Sequence, residues 1–437
     1  MSKFITKFFT VLICILLAPG YTVLPLLAEN ENPGDGYTLK EVVILSRHNI
    51  RAPLSNEGSF LAKSTPNAWF EWSSAASELS MRGGTLETEM GQYFRKWVVS
   101  ENLMSENYHP SENEIRFYAN AKQRTIATSQ YFSSGFLPVA NVRIETNQEY
   151  DKMDPVFNPQ LTFVNDDYRK DAEEEMRKLI PDFSKQYALL TEVIDYKNSE
   201  GYKNGELTDL VNGDTEFILE ENNEPGMKGS LKTATSIADA LVLQYYEEPD
   251  PKKAAFDHDL SIDDWKAISS IKDIYTDILF TAPLIATNIA NPLLKEIDSE
   301  LERNDRKFTF LCGHDSNIAS VLAALGITDY TLDNVIESKT PIGSKLVFEK
   351  WADSTGNEYI RVRIVYQSVE QLRSMPLLTL DNPPMSYVFQ FDELTPNQDG
   401  LYSMKDFDAF LDGRIAAYDE LKKQYGITSS VPNTGVE

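Results

Sequence analysis

The strongest constraint on the fold comes from short, uninterrupted apolar runs, which are typical of strands buried on both faces of a sheet. Residues 41–46 read EVVILS, residues 115–119 read IRFYA and residues 308–313 read FTFLCG. A segment of helical character follows the second run after Arg124 and the third run from Asp315. Buried strands that alternate with helices predict an α/β fold, with a mostly parallel central sheet and flanking helices.

The middle of the chain has a different pattern. Residues 171–180, 184–198 and 230–246 have the apolar spacing of amphipathic helices, with charged residues between the apolar positions. We therefore expect an inserted α-helical domain that caps the α/β domain. The predicted bounds are 154–305 for the insertion, and 36–153 together with 306–437 for the α/β domain.

The N-terminus has the layout of a secretory signal peptide. A pair of lysines precedes an apolar run over residues 8–18, and residues 1–28 contain no acidic side chain. Pro19 ends the run before it reaches the roughly 18–20 residues that a membrane span needs. We expect cleavage after Ala28, with a retained membrane anchor as the alternative.

Charge and cysteine content limit the partners of the exported chain. Lysine and arginine total 41 against 67 acidic residues, a formal net charge of −26. This excess disfavours nucleic acid and anionic membrane surfaces as partners, because both require a basic footprint on the protein.

Signal cleavage would leave Cys312 as the single cysteine, so we expect no intramolecular disulfide. The oligomeric state stays open.

The first apolar run leads directly into a cluster of candidate functional residues. Arg47, His48 and Arg51 follow the predicted strand within the sequence RHNIRAP. Ligands of open α/β sheets bind beyond the carboxyl ends of the strands, so this loop is where chemistry is expected. The planar guanidinium groups suit phosphate oxygens, and the histidine between them is a candidate nucleophile or base.

A second strand end repeats this arrangement. His314 and Asp315 follow the run at residues 308–313, within the sequence GHDSNI. The histidine is a candidate donor to an anion, and the aspartate at a helix N-terminus is a candidate proton donor and acceptor. A metal site is the competing interpretation of two histidines, but the chain lacks clusters of His and Cys with ligand spacing.

Together, RHNIRAP and GHDSNI resemble the two motifs of the histidine acid phosphatases, in the order in which that family carries them. The resemblance covers almost the whole chain after the signal segment, and it implies the histidine phosphatase fold. It also implies a phosphomonoester as the small-molecule substrate, a periplasmic location, and neither a metal ion nor a cofactor.

The resemblance assigns a role to each matching residue. His48 is expected to be the nucleophile that becomes phosphohistidine, and Asp315 the proton donor to the leaving oxygen. The central motif of the family matches ANAKQRT, which adds Arg124. The phosphate-binding residues expected from the resemblance are Arg47, Arg51, Arg124 and His314. Because His48 must be unprotonated and Asp315 protonated, we expect activity at mildly acidic pH.

The resemblance also implies that the substrate is glucose 1-phosphate. Glu224, on the NEPG turn before residues 230–246, is the candidate that would accept hydrogen bonds from sugar hydroxyls and repel heavily phosphorylated inositols. The alternatives are a surface role for Glu224, a phytase-like or broad acid phosphatase, and a non-catalytic protein that binds phosphate esters in the periplasm.

Overall fold

The computed structural model describes residues 33–34, 36–54 and 60–427. The predicted signal peptide, residues 1–28, lies outside the described residues. The strands are β1 (Tyr37–Arg47), β2 (Ile115–Ala119), β3 (Ile144–Glu145), β4 (Glu216–Ile218), β5 (Gly226–Lys228), β6 (Phe308–Gly313), β7 (Lys345–Asp353), β8 (Glu358–Tyr366), β9 (Met385–Val388) and β10 (Tyr402–Ser403).

Helices lie in most of the connections between the strands, and one helix follows the last strand. They are α1 (Phe60–Lys63), α2 (Met81–Ser100), α3 (Gln123–Phe136), α4 (Asp166–Lys178), α5 (Ser184–Val193), α6 (Glu200–Lys203), α7 (Ser230–Glu247), α8 (Pro251–Ala254), α9 (Ile262–Phe280), α10 (Pro283–Ile289), α11 (Asn291–Leu301), α12 (Asp315–Ala324), α13 (Val369–Ser374) and α14 (Met404–Gln424). None of these described helices has the length and apolarity that crossing a bilayer requires.

Most strands form one sheet of eight, in the order β10-β8-β7-β1-β6-β2-β3, with β9 paired to β8. The neighbours β1, β6, β2 and β3 are parallel, whereas β7 runs antiparallel to β1. β8 returns to the direction of β1, and β9 and β10 oppose it. The predicted mostly parallel central sheet is therefore confirmed, and its antiparallel strands lie on the side of β1 away from β6.

The three apolar runs form β1, β2 and β6, and helices α3 and α12 follow as predicted. One helix prediction is wrong in part, because the segment 184–198 is not continuous. α5 ends at Val193, and Asp195 adopts a left-handed φ of 50° before a 3-10 turn at Tyr196–Asn198. A left-handed residue interrupts the right-handed hydrogen-bond pattern, so the helix stops there.

Helices cover both faces of the sheet. Adjacent residues of a strand point to opposite faces, so Val42 and Val43 of β1 belong to different cores. Val43 packs in a cluster with Ile297 of α11. Val42 packs in a cluster with Phe94 of α2 and Phe132 of α3. Both faces of β1 are therefore buried, as its uninterrupted apolar sequence predicts.

A third core lies among the helices between β3 and β6. It includes Tyr168 of α4, Leu190 of α5 and Ile271 of α9. Ile50, just beyond β1, belongs to the same cluster, so these helices pack over the carboxyl end of β1. α11 lies within the predicted insertion but packs on the sheet. The domain bounds 36–153 with 306–437, and 154–305, remain a prediction.

Candidate active site

The two strand ends identified in the sequence lie side by side. β1 and β6 are adjacent and parallel, with Arg47 opposite Gly313 in the register. The backbone N–H of His48 donates to the carbonyl oxygen of Gly313 at 3.2 Å. The rings of His48 and His314, both buried, have centroids 5.6 Å apart. Parallel pairing thus brings the two candidate motifs to one edge of the sheet.

Hydrogen bonding determines which nitrogen of His48 is free. Nδ1 lies 2.8 Å from the backbone carbonyl oxygen of Asn49, which can only accept, so Nδ1 carries the proton. The lone pair of neutral His48 is then on Nε2. Burial lowers the pKa of His48 well below its usual value, and the charges of Arg124 and Arg51 lower it further. His48 is therefore neutral in mildly acidic solution, the form that a nucleophile needs.

A buried ion pair supports the loop that carries His48. Glu87 accepts from Nδ2 of Asn49 at 2.8 Å and from Nζ of Lys345 at 3.0 Å, and Glu87 and Lys345 are fully buried. Gly343 has a φ of +69°, and a Cβ there would lie 2.4 Å from Nδ2 of Asn49, so a larger residue does not fit. This packing holds Asn49, whose carbonyl orients the His48 ring.

Two of the predicted phosphate-binding arginines have carboxylate partners. Nη1 of Arg47 donates to Glu337 at 2.6 Å and also to the backbone carbonyl oxygen of Thr340. Nη2 of Arg51 donates to Asp239 of α7 at 3.0 Å. The Nε atoms of Arg47 and Arg51 are buried and make no hydrogen bond within the described residues. These guanidinium groups are therefore held in place with donors to spare.

Arg124 lies on the first turn of α3, with Nη2 3.4 Å from Nδ1 of His314. Its Nε atom is also buried without a hydrogen bond inside the described part of the chain. Burial and the charge of Arg51 lower the pKa of Arg124 to about 10. Arg124 is a partly buried cation, and such a group is stabilised when an anion binds beside it.

Asn120, just after β2, orients His314. The Oδ1 atom of Asn120 accepts from the backbone N–H of Asp154 at 2.9 Å, which directs Nδ2 to Nε2 of His314 at 2.8 Å. His314 therefore accepts at Nε2 and carries its proton on Nδ1, the nitrogen near Arg124. Burial and the charge of Arg124 lower the pKa of His314 well below its usual value. Neutral His314 thus presents an N–H donor beside Arg124.

Asp315 is the first residue of α12, and two cations contact its carboxylate. Nζ of Lys272, on α9, lies 2.5 Å from Oδ2, and Nη2 of Arg47 lies 3.4 Å from the same oxygen. Burial raises the pKa of Asp315, but Lys272 and Arg47 outweigh burial and hold the pKa well below its usual value. Asp315 is therefore ionised in the resting site, and the proton donor expected from the sequence carries no proton there.

Glu224 lies on the loop between β4 and β5. The residue is accessible to solvent, although the protein around its carboxyl group desolvates it and raises its pKa. The charge of Arg124 opposes this rise and that of Asp315 adds to it. The Glu224 carboxyl group therefore lies within electrostatic range of Arg124 and Asp315.

Further residues hold the predicted ones in place but had no assigned role in the sequence. Besides Glu87 and Lys345, they include Asn120, Asp239, Lys272 and Glu337. The sequence could have identified Asp239, because a buried acidic side chain within the apolar run ADALVL needs a partner of opposite charge. It could not have identified Lys272, because a single lysine on a helix is usually solvated. Within the described ranges, no cluster of three His, Cys, Asp or Glu side chains is arranged to hold a metal ion.

Paired histidines at neighbouring parallel strand ends, surrounded by arginines, define a site for a phosphate ester. Residues 38–367 match the family model described as histidine phosphatase superfamily, branch 2. The chain belongs to this family, and it is a phosphatase that hydrolyses phosphomonoesters.

Similar proteins support the same class. The chain is 37% identical over 396 residues to the glucose-1-phosphatase of Salmonella typhimurium, covering 89% of this chain and 95% of the relative. It is 37% identical over 409 residues to the glucose-1-phosphatase of Providencia rettgeri, covering 92% and 97%. Among solved structures, the apo phytase of Hafnia alvei has a TM-score of 0.79 at 26% identity, covering 88% of this chain and 98% of that one. The predicted family and fold class are confirmed.

Proposed function

We propose that this protein is a periplasmic acid phosphatase that hydrolyses glucose 1-phosphate, with His48 as nucleophile and Asp315 as proton donor. The observation that carries the proposal is a set of buried guanidinium donors whose charges act on His48. These donors are the Nε atoms of Arg47, Arg51 and Arg124. Together with the N–H of His314, they suit the spread negative charge of a transferring phosphoryl group.

In the first half-reaction, Nε2 of His48 forms a bond to phosphorus, and the bond from phosphorus to the ester oxygen breaks. The ester oxygen keeps the electron pair and receives a proton from Asp315, so the sugar leaves as a neutral alcohol. Because Asp315 is ionised in the resting site, we assign its proton to the incoming substrate. A phosphomonoester keeps one proton below a pKa of about 6, which accounts for the expected activity at mildly acidic pH.

In the second half-reaction, a water oxygen forms a bond to phosphorus and the phosphorus–nitrogen bond breaks. The electron pair returns to Nε2 of His48, and the water gives a proton to the Asp315 carboxylate. The arginines neutralise the phosphoryl charge in both steps, so the proposed reaction uses neither a metal ion nor an organic cofactor.

Glucose 1-phosphate is the proposed substrate because two relatives at 37% identity are glucose-1-phosphatases. A phytase-like activity is the second candidate, favoured by the similarity to the Hafnia alvei phytase. The Glu224 carboxylate supports the sugar ester, because it accepts hydrogen bonds from hydroxyl groups and repels further phosphates.

The periplasmic location rests on residues 1–28, which have the basic start and short apolar run of a signal peptide. N-terminal sequencing of the protein from the periplasmic fraction tests this part of the proposal. We expect the mature chain to begin after Ala28, and recovery of the full-length chain in the membrane fraction would contradict it.

The activity is tested by phosphate release at pH 4–6 in the presence of EDTA. We expect faster release from glucose 1-phosphate than from inositol hexakisphosphate, and faster release from the inositol ester would favour a phytase. His48→Ala should abolish turnover, whereas the matched variant His109→Ala, at an exposed position, should retain it. Binding of the esters without release by the wild type would favour a binding protein.

A further inference from the structure

Lys272 contacts the proposed proton donor from a helix that has no assigned role in the reaction. Its Nζ atom lies 2.5 Å from Oδ2 of Asp315 and 3.8 Å from Oδ1 of Asp239, and its side chain is only 13% exposed. A nearly buried ammonium group therefore bridges two carboxylates at the site.

The neighbouring residue on α9 fixes this helix beside the site. Oδ2 of Asp273 accepts from the backbone N–H of Ser338 at 2.7 Å and from its hydroxyl at 2.9 Å. Ser338 follows Glu337, which binds Arg47. The helix that carries Lys272 is thus joined to the loop that holds Arg47, and Lys272 is positioned by the fold.

The two half-reactions of the proposed reaction require opposite protonation states of Asp315. The first half-reaction needs a proton on the carboxyl group, and the second needs the carboxylate. Charged and titratable groups face Asp315 from every side: Lys272 on α9, Asp239 on α7, Arg47 and His48 at the end of β1, Arg124 on α3, the adjacent His314, and Glu224 on the β4–β5 loop. Of the charged groups, Lys272 acts most strongly on Asp315.

Building on the proposed function, we propose that Lys272 is a positioning residue that keeps Asp315 as the carboxylate needed to accept a proton from water in the second half-reaction. Without this ammonium group, Arg47 would be the remaining contacting cation, and the balance against burial would shift toward protonated Asp315. The attacking water would then lack a base, and the phosphohistidine enzyme would accumulate.

The test uses Lys272→Met with p-nitrophenyl phosphate, whose leaving group departs without a proton donor. After rapid mixing at pH 5 and an alkaline quench, we expect a burst approaching one equivalent of nitrophenol per site, followed by slow turnover. Turnover of the variant should rise about tenfold per pH unit until Asp315 ionises. In the wild type and in Lys272→Arg, which keeps the charge, the dephosphorylation rate should change little over pH 4–7.

Lys266→Met is the matched control, because Lys266 is an exposed lysine of the same helix, and it should behave like the wild type. A Lys272→Met enzyme with neither the burst nor the altered pH dependence would overturn the proposal. If Lys272→Met does not fold, Lys272→Gln gives the same readout with a polar side chain. The variant His48→Ala separates the two proposals, because turnover by that variant would contradict the phosphohistidine reaction itself.

Discussion

The edge of the sheet and the helices α7 and α9 contribute to the site in different ways. β1 and β6 each deliver consecutive functional residues, 47–51 and 313–315, because parallel neighbours end at one edge. The two helices deliver single side chains, Asp239 and Lys272, which pair with members of those runs. The comparison teaches that the phosphate-binding groups lie in local motifs, while their charge balance depends on tertiary packing.

The largest effects should come from replacing the arginines of the site. The stabilities of the variants should distinguish Arg124 from Arg51. Arg51→Met and Arg124→Met should each lower kcat/KM about 10²–10³-fold, because each removes a donor to the transferring phosphoryl group. Their stabilities should differ. Among the described residues, Arg51→Met leaves Asp239 with the more distant Lys272 as its ion-pair partner, at a cost of about 3 kcal/mol, whereas Arg124 contacts His314 and no such loss is expected.

Urea denaturation of both variants, with kinetics on glucose 1-phosphate, checks this contrast. An Arg124→Met protein that is destabilised as much as Arg51→Met would show that Arg124 is a structural cation. The proposed difference between Arg124 and Arg51, which pairs with Asp239 of α7, would then be wrong.

The next largest effect should come from the buried pair of Glu87 and Lys345, which supports the loop that carries His48. Glu87→Gln should lower kcat about tenfold with a smaller change in KM, because Asn49 then holds the His48 ring less firmly. It should also lower the free energy of unfolding by about 3–5 kcal/mol, because Lys345 is left buried without its partner. Steady-state kinetics and denaturation measure the two changes.

The double variant Glu87→Gln/Lys345→Met is the control for that prediction. It should recover part of the stability, since the unpaired charge is removed, but it should not recover kcat. If kcat of Glu87→Gln equals that of the wild type, the buried pair is structural only.

The sequence predicted the central strands and the residues that follow them much better than the helices that pack over them, for a physical reason. Strands β1, β2 and β6 are uninterrupted apolar runs because they are buried on both faces, so they and the residues that follow them were identifiable. Asp195 ends α5 through a left-handed backbone conformation that no apolar spacing reveals. Lys272 acquires its partner only when α9 packs beside α12, so the resting charge of Asp315 was not predictable.

The smallest effect should be on substrate choice. Glu224→Gln should reduce the preference for glucose 1-phosphate over inositol hexakisphosphate about fivefold, the size expected for a contact worth about 1 kcal/mol at a solvent-accessible position. The ratio of kcat/KM for the two esters measures this preference. Glu221→Gln, at an exposed position on the same loop, is the matched control. Equal ratios in both variants would leave Glu224 with a surface role.

The most direct test of the account is to trap the phosphorylated enzyme. Wild-type protein mixed with glucose 1-phosphate, quenched in alkali within milliseconds and digested, should give a single phosphopeptide that contains His48. The phosphate should be on Nε2, because Nδ1 is committed to the Asn49 carbonyl. Phosphate on His314, or a phosphopeptide that does not contain His48, would contradict His48 as the nucleophile.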